Sequence, residues 1–223
     1  MTNTSDSRVS DAYHWLLAEI SMNRLPSGTP LSESRIGAQL GISRTPVREA
    51  LQRLESEGLV RRTDNARFTV SLLTVQEVND ACDLLDALDV YIYTKAAFKH
   101  DEAHSALITE SVNAMMAAAK VKDQRAWSEA DDQFHRIVNE IVGNRLVADT
   151  VSQTRRRIQR FWTRAATAQD RLVDCSAEHV ALARAIVARD VEAIPPTVHE
   201  HIEHMRASVL DKLEAASVFL GAS

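Results

Sequence analysis

The chain has 223 residues, with 26 Lys and Arg against 31 Asp and Glu, a formal net charge of −5, and 45% apolar and 26% charged residues. That balance fills a core and argues against disorder, while only 6 Gly and 5 Pro argue against an all-β sandwich, which needs many more turn residues. No apolar run reaches the about 18 residues of a membrane span, the N-terminus lacks the basic-then-apolar order of a secretory leader, and Cys82 and Cys175 form no framework, so two free thiols in a reducing cytoplasm are expected.

The charge is uneven. Residues 1–72 hold nine Arg, no Lys and eight acids, net +1, and the remainder is −6. Guanidinium groups make forked bonds to phosphate and guanine, which ammonium groups do not.

In chain order, residues 8–23 place Ala12, Trp15, Leu16 and Ile20 at amphipathic helix spacing. The stretch 25–31 (LPSGTPL) is turn chemistry. Ser32 caps a short helix through Leu40, which Gly41 stops. Pro46 then sits in the first turn of a new helix, where proline is tolerated, with Val47, Leu51 and Leu54 on one face and Gly58 at its end. Residues 59–62 and 67–70 read as two short strands around a polar turn. Helix, helix, tight turn, helix and β-hairpin make a winged helix-turn-helix, whose second paired helix enters the DNA major groove.

From Thr74 everything is helix-like. Thr74 to Glu77 form a capping-box pattern, and helices are predicted near 75–98, 102–121, 124–142, 145–166, 171–189 and 196–218. Asp101 and Asp123 are the expected caps, and Gly143-Asn144 an expected stop. The predicted fold is therefore mainly α: a winged helix-turn-helix over 1–72 and an antiparallel bundle of about six helices over 73–223.

The run Leu40-Gly41-Ile42-Ser43-Arg44-Thr45-Pro46-Val47-Arg48-Glu49-Ala50-Leu51, with Leu31-Ser32-Glu33 before it and Glu57-Gly58-Leu59-Val60 after it, closely resembles the GntR family of bacterial transcription regulators. The helical half resembles the ligand-binding FCD domain of its FadR-like subgroup, through Asp131-Asp132-Gln133-Phe134-His135, Gly143-Asn144, Glu178-His179, Ala185-Ile186, Asp190 and His201-Ile202. The resemblance spans roughly residues 10–215 and implies a ligand-responsive repressor that binds a two-fold DNA operator as a homodimer, with no membrane partner.

Three positions depart from the family pattern. Asn65-Ala66-Arg67 replaces a glycine at the wing tip, where Asn tolerates positive φ. Cys82 or Asp83 stands near the place of an Arg usual in the first helix of the ligand domain. Pro195-Pro196 interrupts a helix that is usually continuous, so the helix kinks there or starts afresh.

At the DNA end, Ser43 and Thr45 suit phosphate, and Arg44 and Arg48 suit guanine edges or phosphate. Arg61, Arg62 and Arg67 flank the wing, Ser34 and Arg35 open the preceding helix, and Glu49 is expected to orient a neighbouring Arg. At the helical end, Asp131 and His135 share a helix face, a spacing common by accident. The resemblance implies that they join His179 and His201 around a divalent Zn, Ni or Mn ion, with His199 or His204 as alternatives to His201. His14, His100 and His104 read as surface residues.

A small carboxylate effector would want a cation, and Arg156 and Arg160 are the candidates from an arginine-rich helix. Trp127, Phe134, Phe161 and Trp162 read as core. Two other readings exist. An Asp/His₃ site could activate water for hydrolysis, although no separate general base stands at a suggestive spacing; or the metal itself could be the signal.

Overall fold

The computed structural model describes residues 4–21, 24–165 and 169–220, with side chains described except at 4–6, 21, 159–165, 169–170, 212 and 215–220. It divides into two units, Met1–Thr74 and Val75–Ser223, two residues beyond the boundary expected from composition.

The first unit runs α1 (Thr4–Ser21), β1 (Pro30–Leu31), α2 (Glu33–Leu40), α3 (Arg44–Ser56), β2 (Val60–Arg62) and β3 (Phe68–Val70). α1 packs on α3, burying Ala12, Leu16 and Ile20 against Val47, Leu51 and Leu54. Trp15, expected on that face, is only partly buried, and Tyr13 takes the deeper place. The Tyr13 hydroxyl donates to Glu57 at 2.8 Å, while the Arg53 guanidinium lies 3.8 Å above its ring.

The turn between α2 and α3 is closed by two glycines. Gly41 takes φ 67°, the left-handed cap expected of it. Gly37 has a separate reason: the Ile42 N–H donates to the Gly37 carbonyl at 3.0 Å, and a Cβ on Gly37 would meet the Ile42 carbonyl oxygen at 2.8 Å. Any side chain there would push the two helices apart.

The wing is a three-stranded antiparallel sheet in the order β1-β3-β2. Its third strand, β1, comes from the segment read as turn, and pairs Pro30 with Thr69 and Leu31 with Phe68. At the hairpin tip the positive φ falls on Ala66 (53°), not on Asn65. The Ala66 N–H donates to the Thr63 carbonyl at 2.8 Å, which fixes the turn one residue later than expected.

The second unit contains, among the described residues, six helices: α4 (Val75–Lys99), α5 (Glu102–Lys120), α6 (Gln124–Val142), α7 (Arg145–Ala165), α8 (Gln169–Val187) and α9 (Ile194–Leu220). Asp101 and Asp123 cap α5 and α6, and Gly143 ends α6 at φ 71°. His104 completes the Asp101 capping box and His100 is buried on the Ala96 carbonyl, so these two are structural rather than idle surface residues. α9 starts afresh at Ile194, which puts Pro195 and Pro196 in its first turn, where their missing N–H groups cost nothing. In the turn before it, Arg189 donates to the carbonyls of Ala97, Phe98 and His100 and so closes the C-terminal end of α4.

Trp127 and Phe134 lie in the core, as expected, with the Trp127 indole donating to Ser176 at 3.0 Å. The side chains of Phe161 and Trp162 lie outside the described residues. Among the described residues no helix is long and apolar enough to cross a membrane.

Candidate functional site

In the first unit, α3 carries the candidate DNA contacts on its N-terminal turn. Ser43 is its N-cap, in extended backbone, with no side-chain bond back to the helix. Arg44, Thr45 and Arg48 are exposed, as are Ser34, Arg35, Arg61 and Arg67. Glu33 at the start of α2 receives a forked pair of bonds from Arg48, at 2.8 and 2.9 Å, and a longer one from Arg44 at 3.5 Å. The Arg48 bond holds the Glu33 carboxyl below the usual carboxylate range. Glu33 therefore orients Arg48 and Arg44, the part expected of Glu49; Glu49 is exposed on α3. Arg62 is engaged by Glu55 at 3.2 Å and lies over the Phe68 ring, which distinguishes it from Arg61 and Arg67 on the same wing.

In the second unit, α6, α8 and α9 bring Asp131, His135, His179 and His201 into the buried interior. Asp131 Oδ1 lies 3.2 Å from His179 Nε2 and 3.6 Å from His135 Nε2, and the two Nε2 atoms are 3.4 Å apart. Donors about 2.0–2.1 Å from one ion in adjacent tetrahedral positions stand about 3.3 Å apart, so this triad has the spacing of a coordination shell. His201 adjoins His179, with ring centroids 4.6 Å apart. The four expected residues thus form two overlapping triads that share His179: Asp131, His135, His179 and, with an unforeseen member, Cys175, His179, His201. His204 and His199 are more exposed, and His199 faces Asp86 at 3.6 Å.

Each imidazole is held through Nδ1. His179 Nδ1–H donates to the Cys175 carbonyl at 2.9 Å, and His201 Nδ1–H donates to Glu178 at 2.7 Å. His135 Nδ1 meets the Tyr93 hydroxyl at 3.1 Å. The carbonyl and the carboxylate fix the tautomers of His179 and His201 and leave Nε2 as their donor to an ion, whereas the Tyr93 hydroxyl can either donate to or accept from His135 Nδ1. Glu178 also takes His204 on its other oxygen at 2.7 Å; burial opposes its charge, but the two imidazoles hold its carboxyl below the usual range.

Burial dominates the electrostatics. It pushes the Asp131 carboxyl up to about 7, with Arg155 offsetting part of the rise, and keeps the His135 and His179 imidazoles neutral far below their ordinary range. Neutral imidazoles have the lone pair that ligation needs, and a cation beside Asp131 would favour its charged form.

Among the arginines of α7 whose side chains are described, Arg155 is the buried one. It donates to both oxygens of Asp89, at 3.0 and 2.7 Å. Burial opposes its charge, but Asp89, Tyr93 and Asp131 hold the guanidinium above its usual range. Arg156 is half-buried, and the side chain of Arg160 lies outside the described residues. At the position where the family pattern has an Arg on the first helix, Cys82 is buried and Asp83 is exposed. A cation reaches this place from α9, where Arg206 bonds Asp83 at 2.7 Å and Asn79 at 3.2 Å.

A winged helix-turn-helix with an exposed arginine pair on its recognition helix, followed by a six-helix unit with a buried polar cluster, defines a DNA-binding regulator with a sensory domain. The model of bacterial regulatory proteins of the gntR family matches residues 8–78 and that of the FCD domain matches 80–204, and the chain belongs to this family of transcription regulators.

The chain is 33% identical over 135 residues, 59% of its length and 79% of the relative's, to an HTH-type transcriptional regulator in the TAR-I ttuE-ttuC′ intergenic region of Agrobacterium vitis. It is 23% identical over 197 residues to the HTH-type transcriptional repressor RspR of Escherichia coli K12, covering 88% and 86% of the two chains. Its fold is similar to that of E. coli McbR/YncC, with a TM-score of 0.81 at 20% identity over 96% of this chain and all of the other. These families and relatives are transcription regulators, not enzymes, so the hydrolase reading of the Asp/His cluster has no support.

Proposed function

We propose that this chain is a cytoplasmic, ligand-responsive repressor whose helical unit holds a divalent ion and senses a small carboxylate. One observation carries the metal reading. His179 Nε2 is an acceptor, because its Nδ1–H is committed to a carbonyl, yet it stands 3.2 Å from the acceptor Asp131 Oδ1. Two acceptors at that distance require a cation or a shared proton between them, and the third donor, His135 Nε2 at 3.4 Å from His179 Nε2, suits a borderline ion such as Zn²⁺, Ni²⁺ or Mn²⁺. Asp131, His135 and His179 would hold the ion, with His201 as the further donor. When bound, the ion would offer its remaining positions to a carboxylate oxygen. Arg155 is the cation placed to share that charge: it is buried beside Tyr93 and Asp131, and its Nε has no hydrogen-bond partner.

Binding in the helical unit would change operator affinity by favouring one arrangement of the chain over another, a coupling free energy between two sites. Titrating small hydroxy- and keto-acids against operator binding, with and without a chelator, tests the reading. An acid that releases DNA only in the metal-loaded protein supports it. Release by metal alone would make the ion the signal, and release that is indifferent to chelation would remove the ion from sensing.

On the DNA side, Arg48→Ala should weaken specific operator binding by about ten- to a hundredfold, the cost of losing a bidentate guanine contact. A mobility-shift titration on operator and scrambled duplexes checks this. Equal weakening on both would assign Arg48 to phosphate, and unchanged affinity in a folded variant would take it out of the interface.

The recognition helix of one chain reads one half-site, so a two-fold operator calls for two copies. An exposed apolar row on α4, Leu84, Tyr91 and Phe98 at seven-residue intervals, is available for their pairing. Sedimentation of the DNA-free protein at micromolar concentration should give twice the chain mass; a single chain mass would contradict the homodimer.

A further inference from the structure

Cys175 has no part in an Asp/His₃ centre, yet it stands inside its reach. It is one helical turn before His179 on α8, buried, with Sγ 3.6 Å from His179 Nδ1. One ligand atom from each of Cys175, His179 and His201 lies within 4.8 Å of the others. The neighbouring triad of Asp131, His135 and His179 meets the same limit and shares His179. The buried interior therefore presents two donor sets: one oxygen with two nitrogens, and one sulfur with two nitrogens. Thiolate selects soft and borderline ions, and carboxylate selects hard ones.

We propose that Cys175 is a ligand of this centre for thiophilic ions. Zn²⁺ and its analogue Co²⁺ would be held by the Cys175 sulfur with His201 and His179 Nδ1, which for this gives up its bond to the Cys175 carbonyl and passes its proton to Nε2, whereas Mn²⁺ would be held by the Asp131 side through His179 Nε2 and leave Cys175 a thiol. On ligation the S–H bond breaks, its proton passes to solvent, and the sulfur lone pair forms the bond to the ion. The centre would in this way discriminate between metals by the donor set it uses. This rests on the reading of the cluster as a metal site.

The test separates the two. Metal-free full-length protein is loaded with one equivalent of Co²⁺ and its absorption spectrum recorded, with bound metal measured by equilibrium dialysis. The proposal expects visible d–d bands together with a near-ultraviolet sulfur-to-cobalt charge-transfer band. Cys82→Ser should keep both, and Cys175→Ser should lose the sulfur band alone while Mn²⁺ binding, followed by electron paramagnetic resonance, is retained. Visible bands without a sulfur band in the unmodified protein would overturn the role of Cys175 and leave the metal site standing. Loss of the sulfur band in Cys82→Ser would assign the ligand wrongly and also overturn it. No bound Co²⁺ at all would overturn the metal site and this proposal with it. Should Cys175→Ser fail to fold, the spectra of the unmodified protein and of Cys82→Ser still decide.

Discussion

Asp89→Ala should destabilise the helical unit by about 3–5 kcal/mol, the usual cost of removing one partner from a buried ion pair. Asp89 on α4 is almost fully buried, and both its oxygens receive Arg155 from α7. Removing the carboxylate leaves a guanidinium in the interior with its main partner gone and with an Nε that already lacks one. The charge cannot be relieved by deprotonation, because an arginine stays protonated. The freed group would turn toward Tyr93 and Asp131, the other groups that favour its charge, and would there oppose a bound cation. Chemical denaturation followed by far-ultraviolet circular dichroism, which the helical unit dominates, gives the stability. A loss below about 1 kcal/mol, the level of an exposed pair, would mean that the pair is solvated in solution.

His135→Ala should reduce bound metal to well below one ion per chain. His135 supplies one of the three donors whose spacing matches a coordination shell, and a site with so few donors has little redundancy. Tyr93 would lose its partner on His135 Nδ1 as well. Because α3 and the wing belong to the other unit, operator binding without effector should persist while the response to effector disappears. Metal content by elemental analysis and operator affinity by mobility shift check the two halves. Metal retained at one per chain would show that His135 is not a ligand, and loss of basal DNA binding would show that the change acts through folding.

Local chemistry in the sequence was enough for much of the fold. Ser32, Gly41, Asp101, Asp123 and Gly143 act as helix ends because each does so through its own backbone or a neighbour within a few residues. The apolar face of α3 followed from its 3.6-residue period. What escaped depends on partners distant in sequence. The two residues of β1 become a strand only by pairing with Phe68 and Thr69 of β3, far along the chain. Glu33, not Glu49, meets Arg48 because the α2–α3 turn folds the start of α2 over the recognition helix. Arg155 turns inward because Asp89, 66 residues earlier, waits there; sequence periodicity could say only that one arginine of such a run must face the core.

The candidate site was legible in its members but not in its division. Asp131 and His135 share a face by spacing, and His179 and His201 came from resemblance. That His179 sits between two triads is a product of how α6, α8 and α9 pack. Cys175, four residues before His179 on α8, carried the one available signal: a thiol and an imidazole at helical spacing on one face.

The claim on which the rest depends is that the helical unit is a metal-holding sensor. Its most direct test is elemental analysis of the full chain purified without chelators, paired with thermal unfolding of the metal-free protein as Zn²⁺, Ni²⁺ or Mn²⁺ is added. Close to one divalent ion per chain is expected, with a rise in unfolding temperature for at least one of the three, since an ion that binds only the folded state stabilises it by mass action. No metal in the purified protein, together with an unfolding temperature indifferent to all three ions, would contradict it.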